Sequence, residues 1–220
     1  LKIRGNKQQK LYPILDKQQL ESLYNEYQLL DENNKSARKN WFKTSQLSKA
    51  RNKSIISLMV NQGLTTAEVD RIENKDLQLK EGKILIKGTR KSNERVLELK
   101  SHQIMELMEY QYKTRIELLK YCKGEVSNLF ISTPPIGKEL NQRADSKHIW
   151  KRLTQEVKAQ HKGFINFKQV RTSIITHWLK EYNLRQVQYM AGHKYVSSTE
   201  AYLVNNTEDL QKDIDEFHPF

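Results

Sequence analysis

Cysteine is almost missing: Cys122 is the only one in 220 residues. That excludes an internal disulfide and a cysteine-rich metal site, and it points to a reducing cytoplasm. No run of 18 apolar residues occurs, so no transmembrane span is expected. The opening LKIRGNKQQK is too polar for a signal peptide. Neither a GxxxxGK(S/T) nor a GxGxxG pattern is present, which leaves ATP or dinucleotide use without support. There is no internal repeat and no low-complexity segment.

Positive charge is in excess. Thirty-eight Lys and Arg face 26 Asp and Glu, a formal net charge of +12. A chain this basic suggests a polyanionic partner, with nucleic acid first and an anionic membrane surface second. At 37% hydrophobic and 29% charged residues, 220 residues suffice for one sizeable core or two small domains.

Residues 1–12 are basic, lack an apolar period and read as a linker. Pro13 and Asp16 open an amphipathic helix carrying Leu20, Leu23, Tyr24 and Tyr27. Residues 31–43 read as a polar loop anchored by Trp41-Phe42. The spacing of Leu47, Ala50, Ile55, Leu58 and Met59 predicts a helix over about 44–62, ended by Gly63. Thr65-Thr66-Ala67-Glu68 fits a capping box, and Val69 and Ile72 continue that short helix.

Short alternating stretches at 76–79, 83–87 and 95–99 predict a three-stranded antiparallel sheet. The loop between the last two, 88–93, is markedly basic. Ser101 caps a long helix to about Tyr121, with Ile104, Leu107, Met108, Ile116 and Leu119 as its apolar positions. Asn128–Ile131 is a short apolar run, and Thr133-Pro134-Pro135 breaks the chain. Asp145 or Ser146 opens a helix to about Gln160. A last amphipathic helix spans 207–217, with Leu210, Ile214 and Phe217. The fold class expected is mainly α with one small sheet.

The stretch 163–205 organises the rest. Lys168 and Arg171 lie three residues apart in a run with helical apolar spacing at Val170, Ile174, Ile175 and Trp178. Asn166 can cap that helix, placing both cations in its first turns, where the macrodipole also favours an anion. A second helix over about 184–190 ends at Ala191-Gly192, which puts His193 on a turn. Ser197 and Ser198 can cap a third short helix carrying Tyr202. Two cations, an imidazole and a phenol on linked short helices could surround one phosphate. Taken singly, each is more simply a solvated charge, a turn histidine or a packing tyrosine.

Jointly they resemble the C-terminal part of the tyrosine recombinase (phage integrase) family. That family reads His-x-x-Arg, then Gly-His, then a nucleophilic Tyr nine residues past that His. Here the same places read Lys168-Gln169-Val170-Arg171, Gly192-His193 and Tyr202, with Lys168 standing for the first His. Upstream, the family's Gly-Leu-Arg-x-x-Glu appears as Gly63-Leu64-Thr65-Thr66-Ala67-Glu68, with Thr65 in place of the first phosphate-binding Arg. A family Lys lies between the second and third strands; Lys91 is the first choice for it, with Lys87 and Arg90 as alternatives. The resemblance covers roughly 13–217. It implies a catalytic domain over 13–220, without the family's separate N-terminal DNA-clamping domain.

The resemblance implies a site-specific recombinase that cleaves and rejoins DNA through a 3′-phosphotyrosyl bond. Tyr202 would be the nucleophile, Arg171 and His193 would hold the non-bridging oxygens, Lys91 would be the general acid, and Lys168 would hold the phosphate or assist protonation. The implied partner is double-stranded DNA, with self-association into a tetramer on it and no membrane. No cofactor and no metal are implied. With Thr65 in place of Arg, the enzyme is slower, or another base such as Arg51 or Arg71 fills the gap, or the chain is a degenerate DNA-binding relative. A type IB topoisomerase-like nicking–closing enzyme is the rival within the chemistry. An RNA-binding helical protein is a weaker one, because no stacking-aromatic motif occurs.

Overall fold

In a computed structural model the described residues are 12–30, 40–133 and 146–203. The expected helix at 207–217, residues 1–11 of the linker expected at 1–12, most of the loop at 31–43 and the break at Pro134-Pro135 lie outside them.

Helix α1 (Lys17–Asn25) starts at Asp16, whose side chain accepts from Gln19 N while Gln19 answers to the cap's own N–H. Its buried face carries Leu20 and Leu23, and Tyr27 follows at 2% exposure. Helix α2 (Asn40–Gln62) begins four residues before its expected start. Trp41 and Phe42 therefore belong to its first turn, not to a loop; Phe42 is buried and Trp41 is partly exposed. Ile55, Ile56, Leu58 and Met59 make α2 the central core helix. Gly63 ends it at φ 58°, where a Cβ would press against Trp178 at 3.1 Å and Ile174 at 3.2 Å.

Thr65 caps α3 (Thr66–Val69) through the expected capping box with Glu68. The helix stops at Val69, so Ile72 is buried beyond its end. Strands β1 (Leu77–Gln78), β2 (Lys83–Ile86) and β3 (Arg95–Glu98) form the antiparallel sheet in the order β1-β2-β3. Ile84 pairs with Leu77 on one side and Leu97 on the other. On β3 the inward positions are Arg95 and Leu97, and the outward ones are Val96 and Glu98.

The helix after the sheet is α4 (Ser101–Glu109), a π-helical turn at Tyr110–Thr114, then α5 (Arg115–Leu119). Ser101 is its first helical residue and does not cap it; Lys100 holds the cap position without a side-chain bond. The wide turn rotates the buried face. Leu107, Tyr110 and Leu118 point inward, whereas Met108 and Ile116, expected on that face, are 41% and 49% exposed. Gln103 ties α4 to α2 through Ser57 and Gln62.

Helices α6 (Ser146–Gln160), α7 (Phe167–Glu181), α8 (Leu184–Ala191) and α9 (Ser197–Glu200) complete the described chain. Asn166 caps α7 by accepting from Gln169 N. The lead-in to α1 packs along α7: Leu15 N donates to Ser173 Oγ and Gln169 donates to Pro13 O. Helices α2 and α7, both deeply buried, form the floor on which the sheet, α3 and α8 place the site. Among the described residues, no helix is long and apolar enough to cross a membrane.

Candidate active site

Arg171 sits in the second turn of α7 at 8% exposure. Its side chain is pinned by backbone at two helix ends. Nη1 donates to Gly63 O at 2.5 Å, just past α2, and Nη2 to Ala191 O at 2.6 Å, the last residue of α8. Both carbonyls are free because their helices stop there. The Glu68 carboxylate lies 3.6 Å from Nη1. Burial pushes the guanidinium below its usual range, while Glu68 and the phenol of Tyr202 act to keep it charged.

His193 follows Gly192, which closes α8 in the left-handed region at φ 70°. His193 Nε2 lies 3.3 Å from Arg171 Nη2 and Nδ1 lies 2.9 Å from Thr199 Oγ1. Burial first, then the charges of Arg171 and Arg95, lower its pKa to about 4. The imidazole is therefore neutral near pH 7. Arg171 can only donate, so Nε2 accepts and the proton resides on Nδ1, facing the Thr199 hydroxyl.

Tyr202 stacks on His193 with ring centroids 5.7 Å apart and planes 15° apart. Here the local structure differs from expectation. Ser197 and Ser198 lie inside α9, whose N-terminal position is Val196 with no side-chain cap. Tyr202 lies on the turn after α9, not on the helix, its N–H donating to Thr199 O at 3.0 Å. The structure thus brings Arg171, His193 and Tyr202 together.

Lys168 is exposed, and its Nζ lies 5.8 Å from the centre of the Tyr12 ring. Three residues along a helix turn the side chain about 60° away, enough to send one cation inward and the other to solvent. Lys91 is exposed at the tip of the β2–β3 hairpin. That tip docks on the histidine turn: Ser92 forms an antiparallel bridge with His193, and Asn93 N donates to Gly192 O at 3.0 Å. Arg90 is exposed beside Lys91. Lys87 is held by Glu73 at 2.8 Å and Asp76 at 3.4 Å, which raise its pKa.

Arg51 and Arg71 are the two cations named as alternatives for the gap at Thr65. Arg51 is buried elsewhere, bonding Ile131 O and Asn52, and Arg71 is exposed. Arg95 is the residue that sequence reasoning passed over. Its Nη1 binds Glu68 Oε1 at 2.7 Å and its Nε donates to Met190 O at 2.8 Å. The available signal was a charged residue at an inward position of an alternating strand. Thr199 was also missed; its small buried hydroxyl inside a polar run gave no such signal.

The fold has known counterparts. Crystal structures of the XerA recombinase (TM-score 0.63, 18% identity, 98% of this chain and 68% of that one) and of the XerH recombinase bound to palindromic difH substrate after cleavage (0.66, 22%, 94% and 53%) share it. They define the fold as that of tyrosine recombinases. The Phage integrase family model matches residues 14–209, and the chain belongs to that family. It is 31% identical over 171 residues to tyrosine recombinase XerD of Staphylococcus saprophyticus and equally to that of Staphylococcus aureus, covering 77% of this chain in each case. The chain spans 55% of the length of those relatives over the match.

Proposed function

We propose that the chain is the catalytic part of a site-specific DNA recombinase that cuts and rejoins strands through Tyr202. The observation that supports this best is the convergence of Tyr202, His193 and Arg171 from three separate elements. A packing role explains no such meeting of a phenol, a neutral imidazole and a buried guanidinium.

In the proposed reaction the Tyr202 phenol gives its proton to water as its oxygen attacks a DNA phosphorus in line with the 5′-oxygen. One phosphorus–oxygen bond forms and one breaks, so the number of phosphoesters is unchanged and rejoining is the same step reversed. Negative charge grows on the non-bridging oxygens. Arg171 meets it with a planar, charged fork already fixed by Gly63 and Ala191. His193 meets it as the other neutral tautomer, reached by releasing the Nδ1 proton to water and taking one at Nε2 from water, so that Nδ1 accepts from the Thr199 hydroxyl and Nε2–H donates to the phosphate. Lys91 protonates the departing 5′-oxygen, and its seat beside Ser92 supports that role. Lys87, already neutralised by two carboxylates, is the poorer acid. Lys168 neutralises a neighbouring phosphate. The recombinase acts as a tetramer on DNA, as the crystallised lambda integrase does on a Holliday junction.

Thr65 favours one second reading, a DNA-binding relative that has lost cleavage. The experiment that separates them is capture of covalent adducts from a randomised, nicked duplex library in EDTA, with peptide mapping. An adduct at Tyr202 that vanishes in Tyr202→Phe supports the recombinase. An adduct that persists in Tyr202→Phe moves the nucleophile elsewhere. DNA binding with no adduct supports the second reading.

A further inference from the structure

Arg95 is a full cation, 2% exposed, on an inward position of β3. Its Nη2 is buried with no hydrogen-bond partner among the described residues. A buried, incompletely satisfied guanidinium is costly, so its position needs a reason. We infer that Arg95 is a positioning residue that supplies, from beneath the histidine turn, the positive charge this site lacks at Thr65. The inference deepens the recombinase reading and rests on it for the meaning of that charge.

Three contacts carry it. Arg95 Nη1 takes Glu68 Oε1, leaving Oε2 to the Thr65 N–H and hydroxyl at 2.8 and 2.9 Å. Arg171 therefore stays 3.6 Å from that carboxylate and keeps its bonds to Gly63 and Ala191. Arg95 Nε holds Met190 O at the end of α8, just before His193. Finally, a Cβ on Gly192 would lie 2.3 Å from Arg95 Nη1 and 2.7 Å from its Cζ. The turn that presents His193 is thus moulded on the guanidinium.

Arg171 (+1), Glu68 (−1) and neutral His193 and Thr65 alone sum to zero. With Arg95 the cluster carries +1. Arg95 does not reach solvent and is not offered as a group that touches DNA. Its field acts through the turn, where low dielectric leaves it poorly screened. Its hold on Glu68 Oε1 gives that carboxylate a second cation, so the pair that Glu68 makes with Arg171 at 3.6 Å is left with a net positive charge.

The test uses the whole protein with isotope-labelled histidine and two variants. Arg95→Met keeps the stem and removes the charge; Arg95→Lys keeps the charge and loses the fork. The groups facing His193 are Arg171, Arg95, Glu68 and Tyr202. Arg95→Met should raise the His193 titration midpoint from about 4. Arg95→Lys should leave it closer to the wild type. On DNA that gives an adduct, Arg95→Met should slow single-turnover cleavage about tenfold with DNA affinity nearly unchanged, and Arg95→Lys should restore part of the rate. An unmoved midpoint in folded Arg95→Met overturns the inference. If Arg95→Met does not fold, Glu68→Gln decides: removing the carboxylate must lower the midpoint, and an unchanged or raised one overturns the inference equally. A wild type without any adduct sinks the recombinase reading but leaves the titration result to judge Arg95.

Discussion

Two buried arginine clusters sit on the two core helices, and they behave differently. Arg51 on α2 gives its N–H groups to neutral oxygens, Ile131 O and the Asn52 side chain, and burial pushes its pKa down to about 10. Nearby Tyr27 donates to Glu156 at 2.6 Å. That cluster joins the segment after α1 to α2 and α6 and ends in the core. Arg171 on α7 also bonds two carbonyls, but a neutral imidazole and a phenol stack beside it. The comparison separates what burial does from what convergence does. Burial alone makes an arginine a cross-link. A half-buried phenol and a neutral imidazole beside it make the same group a candidate catalyst.

The sharpest way to break that contrast is substitution in each cluster. Tyr202→Phe should abolish the covalent adduct and leave DNA affinity within about twofold, read by denaturing gel and by binding titration. Arg171→Ala should lower single-turnover cleavage by roughly 10²–10³-fold, with a far smaller change in affinity. Arg51→Met should do the reverse. Stranding Asn52 and Ile131 O should cost about 2 kcal/mol of stability in denaturant melts, while cleavage per folded molecule holds. Equal cleavage losses for Arg51→Met and Arg171→Ala would erase the distinction.

Acid sharpens it further. The folded-state pKa of His193, about 4, lies below its ordinary value of 6.5. The unfolded chain therefore takes up that proton first, and stability falls as pH drops from about 6.5 through about 4. Burial works to raise the Glu68 carboxyl, but its bond to Arg95 and the charges of Arg95 and Arg171 outweigh that and hold it low. Its contribution is present above the ordinary carboxylate range and is lost as pH falls through the lowered value, in the same direction. Cleavage rates should therefore show no His193 titration between about pH 6 and 8 and should fall in stronger acid. A rate step near 6.5 that disappears in His193→Gln would contradict a neutral, buried imidazole.

Smaller effects test the outer parts. Thr65→Arg should not raise cleavage, because Arg95 and Arg171 already flank Glu68; it should cost about 1 kcal/mol through loss of the helix cap. A clear rise in rate would mean that the site does lack a cation. Lys168→Ala should reduce the slope of log affinity against log salt by about 1, with the single-turnover rate of bound protein little changed.

Much of this was legible in the chain. Helical spacing, the caps at Asp16, Thr65 and Asn166, and the glycines at 63 and 192 are local signals, because helix ends are decided within a few residues. The alternation at 76–79, 83–87 and 95–99 was enough for the sheet. The residues Arg171, His193 and Tyr202 were marked by their spacing and by family likeness.

Tertiary structure alone decided the rest. Helical period places Lys168 and Arg171 near one another, yet only the packing of α7 on α2 and α8 sends Arg171 inward and leaves Lys168 in solvent. The π-helical turn at Tyr110–Thr114 rotates a face that strict 3.6-residue counting puts elsewhere. Arg95 reaches Glu68, beside Thr65, across a strand pairing, which the nearness of Arg51 or Arg71 along the chain does not indicate. The same pairing seats the hairpin on the histidine turn. Spacing along a chain encodes local geometry. Which buried charges share a carboxylate depends on contacts between residues far apart in sequence, and no local pattern records them.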